Sequence, residues 1–189
     1  MGRIVVTEFV SLDGVMEDPG GAEGFEHGGW TFEFSTGEDG DRFKFEELMA
    51  SDAQLLGRVT YEGFAKAWPT MEGTGEFGEK MNEMPKFVVS TTLENPEWNN
   101  TTVLKGDLAE EVAKLKDQFA GDILVAGSAR LVQSLVEREL VDELRLMVFP
   151  VVLGSGKRLF GDTSDKKRLR LADSRTVGEG VAILTFNRA

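Results

Sequence analysis

The sequence predicts a single α/β domain with a central mixed sheet of about eight strands and helices on its faces. Strand-like apolar runs alternate with helix-like patterns from one end of the chain to the other, which is typical of α/β layer architectures. The apolar run at residues 123–126 has no polar side, as expected for a central strand covered on both faces. No internal repeat or linker divides the 189 residues, so residues 1–189 are expected to form one domain.

Eight runs rich in β-branched and aromatic residues, each bounded by turn residues, predict the strands. They lie at Arg3–Phe9, Ala53–Leu56, Lys86–Ser90, Thr102–Leu104, Asp122–Ala126, Glu143–Pro150, Arg168–Thr176 and Val181–Asn187. A short segment, residues 178–180, separates the last two runs and contains two glycines. These two strands are therefore predicted to form an antiparallel hairpin at the C-terminus.

Four helices are predicted between the strands. The clearest has apolar residues at positions 108, 112, 115 and 119 on one face, and Asp107 with Glu110 forms a capping-box pattern at its start. A second helix follows Ser128, whose hydroxyl is the expected N-cap. The predicted ranges are Leu108–Phe119, Ala129–Arg138, Asp41–Ala50, and a short helix that follows Thr60 and ends near Trp68–Pro69.

A long segment between Glu17 and Asp39 combines glycines, glutamates and aromatic residues. Loops of this length in compact domains are often lids or binding loops, and otherwise are disordered. Both interpretations are open from the sequence alone.

Composition excludes several classes of site. The chain has no cysteine and one histidine, His27, so disulfides, thiolate nucleophiles, iron–sulfur clusters and multi-histidine metal sites are excluded, and no metal is expected. The net charge of −12 disfavours nucleic acid. No run approaches the roughly 20 apolar residues that span a membrane, and no signal-peptide pattern is present. We therefore expect a cytoplasmic protein.

The strongest local signal is the turn where the apolar strand at residues 122–126 leads directly into a helix. Gly127 allows close approach of a ligand to the backbone, and the N–H groups that follow Ser128 and Ala129 point outward with the positive end of the helix dipole. Arg130 adds a positive charge. This arrangement suits a phosphate, but a tight turn with a serine cap explains the pattern equally well.

Two further strand ends carry donors. Gly57, Arg58 and Thr60 follow one strand, although an ordinary surface arginine is the more frequent explanation for such a pattern. Ser90, Thr91 and Thr92 form a run of three hydroxyls after another strand. Because ligands of open α/β sheets bind at the carboxyl ends of strands, three such ends predict one shared binding edge.

Two aspartates are candidate proton donors. Asp13 and Gly14 follow the first strand, where they form a turn and open the long loop. Asp41 lies at the predicted start of a helix, where an N-cap is the simplest role and proton transfer is the alternative.

The motifs in their order resemble the dihydrofolate-reductase-like superfamily. The branch most similar is the C-terminal reductase domain of the bifunctional riboflavin-biosynthesis enzyme, RibD. The resemblance covers nearly all of the chain. Its motifs are Ser-Leu-Asp-Gly at 11–14, Leu-Leu-Gly-Arg-Val-Thr-Tyr at 55–61, Trp-Pro at 68–69, Val-Val-Ser-Thr-Thr at 88–92, Val-Ala-Gly-Ser-Ala-Arg at 125–130 and Val-Leu-Gly-Ser-Gly-Lys at 152–157.

This resemblance implies a three-layer fold and a reductase that transfers hydride from NADPH to a small heterocyclic or carbonyl substrate. By analogy, residues 57–60 hold phosphates of the adenosine half, residues 90–92 contact the adenosine 2′-phosphate, and residues 127–130 hold the pyrophosphate. Asp13 and Gly14 are then expected near the nicotinamide and substrate. Asp41 matches the acidic helix residue of the superfamily, with Glu38 and Asp39 as competing candidates.

Departures from the pattern leave alternatives. Relatives often carry a basic residue where Thr91 stands, so NADH is an alternative cofactor. The absence of cysteine excludes the zinc deaminase half of a bifunctional riboflavin enzyme. A homodimer is expected. The rival hypotheses are a non-catalytic nucleotide- or antifolate-binding protein with the same cleft, and a domain whose loop at 17–40 contacts a partner protein.

Overall fold

A computed structural model describes residues 1–189 and contains the predicted mixed sheet of eight strands. The strands are β1 (Arg3–Ser11), β2 (Ser51–Gly57), β3 (Lys86–Val89), β4 (Thr101–Leu104), β5 (Asp122–Val125), β6 (Glu143–Phe149), β7 (Leu169–Val177) and β8 (Val181–Arg188). Each of the eight predicted strands is present, and the ends differ from the predicted ones by at most two residues.

The strand order is β4-β3-β2-β5-β1-β6-β8-β7, with β1 to β6 parallel and the last two strands antiparallel. The central strand β1 pairs with β6 as far as Ser11. Its pairing with β5, in contrast, ends at Val6, opposite Val125. Beyond these two residues β1 and β5 are no longer paired, and a crevice opens between the two strands.

Five helices lie on the two faces of the sheet. They are α1 (Gly37–Met49), α2 (Arg58–Ala67), α3 (Gly75–Glu83), α4 (Leu108–Gln118) and α5 (Ala129–Glu137). None of them is both long enough and apolar enough to cross a bilayer. The helix α3 was not predicted, because Gly75 and Gly78 give its sequence a low helix propensity.

Two helices begin earlier than predicted, α1 and α2, the latter at Arg58 and not after Thr60, and the predicted Ser128 cap is absent. Asp107 caps α4 as predicted, since its Oδ1 accepts from the N–H groups of Ala109 at 2.9 Å and Glu110 at 3.3 Å. The helix α1 begins at Gly37, so Asp41 is its fifth residue and not an N-cap. Ser128 precedes α5, but its hydroxyl makes no capping hydrogen bond.

The core forms on both faces of the sheet. On one face α4 and α5 pack on Ile4, Val6 and Ile123, and on the other face the first three helices pack on Val5 and Leu124. Neighbouring strand residues therefore alternate between the two clusters, as the period of a strand requires. The result is a three-layer arrangement in which the central strands β1, β2 and β5 are largely buried.

The long loop before α1 is folded onto the sheet. Trp30 is fully buried, packs against Phe149 with ring centroids 5.4 Å apart, and donates from Nε1 to the carbonyl oxygen of Glu17 at 2.9 Å. The carboxylate of Asp18 accepts from the N–H groups of Glu23 at 3.0 Å and Phe25 at 3.2 Å. The segment is therefore folded and not a disordered insert, and its role as a binding loop stays a prediction.

A buried lysine joins three chain segments near β3. The Nζ of Lys86 donates to the carbonyl oxygens of Asn82 at 2.8 Å, Met84 at 2.9 Å and Asn99 at 3.0 Å, and it lies 4.2 Å from the centre of a Trp98 ring. Burial lowers the pKa of Lys86 to about 8, so the ammonium form still predominates at pH 7. The charge is therefore satisfied by carbonyl dipoles and an aromatic face, with no carboxylate.

We predict that Lys86→Met destabilises the protein by about 2–4 kcal/mol, because one buried and two partly buried carbonyl oxygens lose their donor. Urea denaturation followed by circular dichroism measures the change. Lys66→Met, on the exposed side of α2, is the control and should alter the free energy of unfolding by less than about 0.5 kcal/mol. Equal stability of the two variants would contradict a structural role for the buried ammonium group.

Candidate active site

Three neighbouring parallel strands, β3, β2 and β5, end at one edge of the sheet, and a cavity of about 1090 Å³ lies there. Ten of the eleven residues predicted to bind a cofactor line it. They are Gly57, Arg58, Thr60, Ser90, Thr91, Thr92, Gly127, Ser128, Ala129 and Arg130. The eleventh, Gly14, does not line it. The three strand ends thus share one cavity, as strand topology alone had suggested, although their roles toward a ligand stay predictions.

The turns after β2 and β5 touch each other. The N–H of Gly57 donates to the carbonyl oxygen of Gly127 at 3.2 Å. A Cβ atom on Gly57 would overlap the hydroxyl of Ser128, and one on Gly127 would lie 2.6 Å from Oγ1 of Thr60. Gly127 also has a φ of 91°, which favours glycine. Only glycine at both positions allows the two turns to pack this closely.

This contact places the N-termini of α2 and α5 beside each other at the cavity. The first residues of both helices, 58–60 and 129–131, are among those that line it. The free N–H groups and the positive dipole end of each helix favour an anion such as a phosphate. Arg58 and Arg130 add guanidinium groups, although Arg58 is shared with Glu62 at 3.0 Å.

The third strand end is built around a hydroxyl. Oγ of Ser90 accepts from the N–H groups of Thr92 at 3.2 Å and Leu93 at 3.0 Å, so this side chain shapes the turn. Thr91 and Thr92 are exposed and line the cavity. The N–H of Ser90 also bonds to the end of β4, which brings Lys105 to the same wall of the cavity.

The structure does not support Asp13 as a proton donor. Its carboxylate accepts from the hydroxyl of Ser11 at 2.6 Å and from the N–H groups of Leu153 at 3.1 Å and Gly154 at 2.9 Å. The Ser11 hydrogen bond, helped by these two N–H groups, lowers the pKa of Asp13 to about 2, so it holds no proton near neutral pH. Neither Asp13 nor Gly14 lines the cavity, and this aspartate instead anchors the start of the long loop.

Asp41 also lies away from the cavity. It is exposed on α1 and accepts from the hydroxyl of Thr36 at 2.7 Å. The competing candidates Glu38 and Asp39 are likewise exposed and do not line the cavity. The acidic residue of α1 that lines the cavity is Glu47, in the last turn of the helix. The C-terminal half of α1, and not its start, faces the site.

Glu8 on β1 is the cavity residue that the sequence did not reveal. Only 8% of it is exposed, and its Oε1 has no hydrogen-bond partner. One other buried side-chain oxygen in the molecule lacks a partner, Oε1 of Gln54, and it also belongs to a residue that lines this cavity. Since nearly all buried polar atoms are hydrogen-bonded, two orphans at one cavity indicate a ligand-binding site.

An ion pair lies next to Glu8. The Nζ of Lys44 is 2.5 Å from Oε2 of Glu47 and 2.8 Å from Oγ1 of Thr7. Arg145 lies 3.3 Å from the other oxygen of Glu47, so this carboxylate has a cation on each oxygen. Burial raises the pKa of Glu8 to about 8, and the positive charge of Lys44 offsets only part of the shift.

The long loop forms a further wall of the cavity. Met16, Pro19, Thr31 and Phe32 line it, and Phe32 is 80% exposed. An aromatic ring held at the edge of a cavity offers a flat apolar surface to a bound ring system. No group of three or more His, Cys, Asp or Glu side chains is arranged to hold a metal ion.

Comparison with known proteins agrees with this architecture. The family model described as the RibD C-terminal domain matches residues 3–183. The protein YyaP of Bacillus subtilis (strain 168), whose function is uncharacterised, is 30% identical over 188 residues, which are 98% of this chain and 94% of the relative.

Two solved structures share the fold. A putative riboflavin biosynthesis protein from Shewanella sp. PV-4 has a TM-score of 0.79 at 21% identity, covering 99% of both chains. A pyrimidine reductase-like protein from Corynebacterium diphtheriae has a TM-score of 0.61 at 12% identity, covering 99% of this chain and 92% of its own. The dihydrofolate-reductase-like fold expected from the sequence motifs is thereby confirmed.

We predict that Glu8 makes the stability depend on pH. Its pKa is about 8 in the folded protein against an ordinary value of 4.5, so the folded state binds more protons between these limits. The free energy of unfolding should therefore fall as the pH rises from about 4.5 to 8, by an amount of order 3 kcal/mol that Glu8→Gln does not show. Denaturant titrations at pH 5, 7 and 9 measure it, and parallel pH curves for the two proteins would contradict the prediction.

Proposed function

Because the chain belongs to the family of the RibD C-terminal domain, we propose that it is a reductase that uses a reduced nicotinamide dinucleotide. The substrate is a small heterocyclic or carbonyl compound: the names of the similar structures suggest a pyrimidine of the riboflavin pathway, and the resemblance of the sequence motifs to dihydrofolate reductases suggests a pterin. The observation that carries the proposal is the convergence of three strand ends and two helix N-termini on one cavity.

The residues present fit such a cofactor. The glycine contact between residues 57 and 127 leaves backbone N–H groups accessible without side chains in front of them, and a diphosphate is the ligand that two adjacent helix N-termini favour. Arg58 and Arg130 supply charge to the same group. The dinucleotide, when bound, supplies the hydride.

The rest of the chemistry falls to the chain itself. The helix N-termini fix the diphosphate, and the crevice between β1 and β5 gives the reacting rings a defined position beside Glu8. The loop wall that contains Phe32 reduces contact with water. Glu8 and the Lys44–Glu47 pair are the ionisable groups near β1 that can hold a polar substrate or move a proton.

The preference for NADPH over NADH rests on one side chain in this proposal. Thr91 carries no charge, so it cannot replace the basic residue common in relatives. Lys105 lines the same wall, because β4 ends beside Ser90. We assign Lys105 to the adenosine 2′-phosphate and keep NADH as the alternative cofactor.

The alternative function is a non-catalytic protein that binds a nucleotide or an antifolate in this cleft. Such a protein would show saturable binding without oxidation of the dinucleotide. The unpartnered carboxyl of Glu8 suits either function, because it can hydrogen-bond a bound ring or transfer a proton to it. Oxidation of NADPH in the presence of pyrimidine, pterin and carbonyl compounds separates the two functions.

We also propose a homodimer. The strand β7 is the edge of the sheet, and every residue in it except Val177 is exposed. Leu169 and Leu171 are among the exposed large apolar residues of the molecule. An exposed edge strand with apolar side chains can pair with a strand of another chain. We propose that the other chain is a second copy of this protein, related to the first by a two-fold axis.

We predict that Arg58→Ala weakens NADPH and NADH binding alike, by about tenfold, because a charge-assisted contact to the diphosphate is lost. Lys105→Ala should weaken NADPH binding by a similar factor and leave NADH unchanged. Fluorescence titration of the reduced dinucleotides gives the dissociation constants, with Arg42→Ala on the exposed side of α1 as the control. Failure of the native protein to bind either dinucleotide would contradict the proposed function.

We predict a mass near twice 20.8 kDa for the native protein by light scattering. Leu171→Glu should shift it toward the monomer, because a charge replaces an apolar contact at the edge strand. Glu62→Gln on α2 is the control. A native protein that is monomeric at tens of micromolar would exclude the dimer.

A further inference from the structure

The crevice at the centre of the sheet holds one carboxyl group in unusual surroundings. Glu8 lies two residues beyond the last pairing of β1 with β5, beside Gly127 at the start of α5. The strands have separated there, and the cavity reaches between them, since Thr7 and Glu8 from β1 and Ala126 and Gly127 after β5 all line it. The carboxyl is therefore buried from bulk solvent but borders the space that a ligand would enter.

The charges around Glu8 leave it without a bonded cation. From α1, Lys44 and Glu47 act on it, and these two are already paired with each other at 2.5 Å. From the α5 side the backbone N–H of Gly127 interacts with it. The Glu47 charge opposes ionisation of Glu8, Lys44 and Gly127 favour it, and burial outweighs both and raises its pKa to about 8. At neutral pH the Glu8 side chain is therefore a neutral carboxylic acid in most molecules.

Four acidic residues line the cavity, Glu8, Glu17, Glu23 and Glu47, and among them only Glu8 is buried with an oxygen that has no partner in the protein. Asp13 and Asp41 lie outside the cavity. Glu47 has Lys44 on one oxygen and Arg145 on the other, so neither of its oxygens is free to meet a ligand. The single tyrosine, Tyr61, does not line the cavity, and its hydroxyl accepts from the N–H of Trp98.

We propose that Glu8 is a catalytic residue, the general acid that gives a proton to the heteroatom of the acceptor bond when its carbon receives hydride. The proposal rests on the proposed reductase function and names the residue that completes it. Its oxygen Oε1, which has no partner in the protein, is the atom that faces the ligand.

The proposed reduction combines a hydride transfer with a proton transfer. The carbon of a C=O or C=N bond takes the hydride, with its two electrons, from the reduced nicotinamide. The π electrons of that bond move to oxygen or nitrogen, and the heteroatom forms a bond to hydrogen as the O–H bond of Glu8 breaks. The nicotinamide is oxidised and the substrate reduced. Glu8, now a carboxylate near Lys44, recovers a proton from solvent after product leaves.

This role defines the substrate class. The acceptor must place its heteroatom next to the reacting carbon and within hydrogen-bond reach of Glu8, as a ring imine or a carbonyl group does. Gln54 offers a second unpartnered oxygen in the same cavity, which suits an N–H donor of the ligand. A nitrogen heterocycle with both an acceptor and an N–H donor fits the two groups better than a simple aldehyde.

The test begins with the protonation state of the ligand-free protein. The infrared difference spectrum between native protein and Glu8→Gln should contain one protonated carboxyl band at pH 7, which disappears with a midpoint near pH 8. Glu46→Gln, which removes an exposed carboxyl from α1, is the matched control and should leave this band unchanged.

The second measurement is single-turnover oxidation of NADPH, with 7,8-dihydrofolate as the C=N probe and 4-nitrobenzaldehyde as the C=O probe. Glu8→Gln should lower the rate by about 100-fold or more, with the dissociation constant of NADPH unchanged within about threefold. Glu8→Asp, which keeps an acid, should restore part of the rate. The native rate should fall about tenfold per pH unit above pH 8, and this limb should be absent in Glu8→Gln.

The outcomes separate the two proposals. Absence of the infrared band at pH 7, or a Glu8→Gln rate within about threefold of the native rate, overturns the role of Glu8 while the reductase function stands. If native protein binds no dinucleotide, or reduces neither probe, the reductase function fails. A band that still titrates near pH 8 would in that case show a neutral acid without this catalytic role.

Discussion

The rest of the cavity depends on the contact between two glycines, Gly57 in the turn after β2 and Gly127 in the turn after β5. Because Gly57 and Gly127 lie against each other, the helices α2 and α5 start side by side, and their N–H groups face one cavity. Any larger residue at either turn would separate the helix starts, since the space is filled by Ser128 and Thr60. The shape of this end of the cavity therefore depends on backbone packing more than on any charged side chain.

Two glutamates near the same cavity illustrate how surroundings decide the state of one chemical group. Glu47 receives Lys44, Arg145 and the hydroxyl of Thr7, so its negative charge is compensated on both oxygens. Glu8 is buried at a similar depth with one oxygen unsatisfied, and burial raises its pKa to about 8. One of these two neighbouring glutamates is thus held by a cation on each oxygen, and the other keeps an oxygen that no group of the protein contacts.

The sequence predicted the parts of the fold that depend on local patterns. All eight strands and their common edge at the cavity follow from apolar runs and strand topology. The helix α3 is not predicted, because its two glycines lower the helix propensity of its sequence. The anchoring role of Asp13 is not visible in the sequence, because its partners, Leu153 and Gly154, lie some 140 residues away and leave no local signal. Nothing in the sequence marks Glu8, the one acidic residue of β1, because its lack of a partner arises only where β1 and β5 separate.

The walls of the cavity are drawn from distant parts of the chain. Strands β2, β3 and β5 come from its first two thirds, but the loop wall is held by Phe149 against Trp30, by residues 153–154 against Asp13, and by a bridge between Val15 and Arg158. A chain cut after residue 148 would keep β2, β3 and β5 but lack Phe149, residues 153–154 and Arg158, so the loop wall would lose the contacts that hold it and this side of the cavity would be open to water.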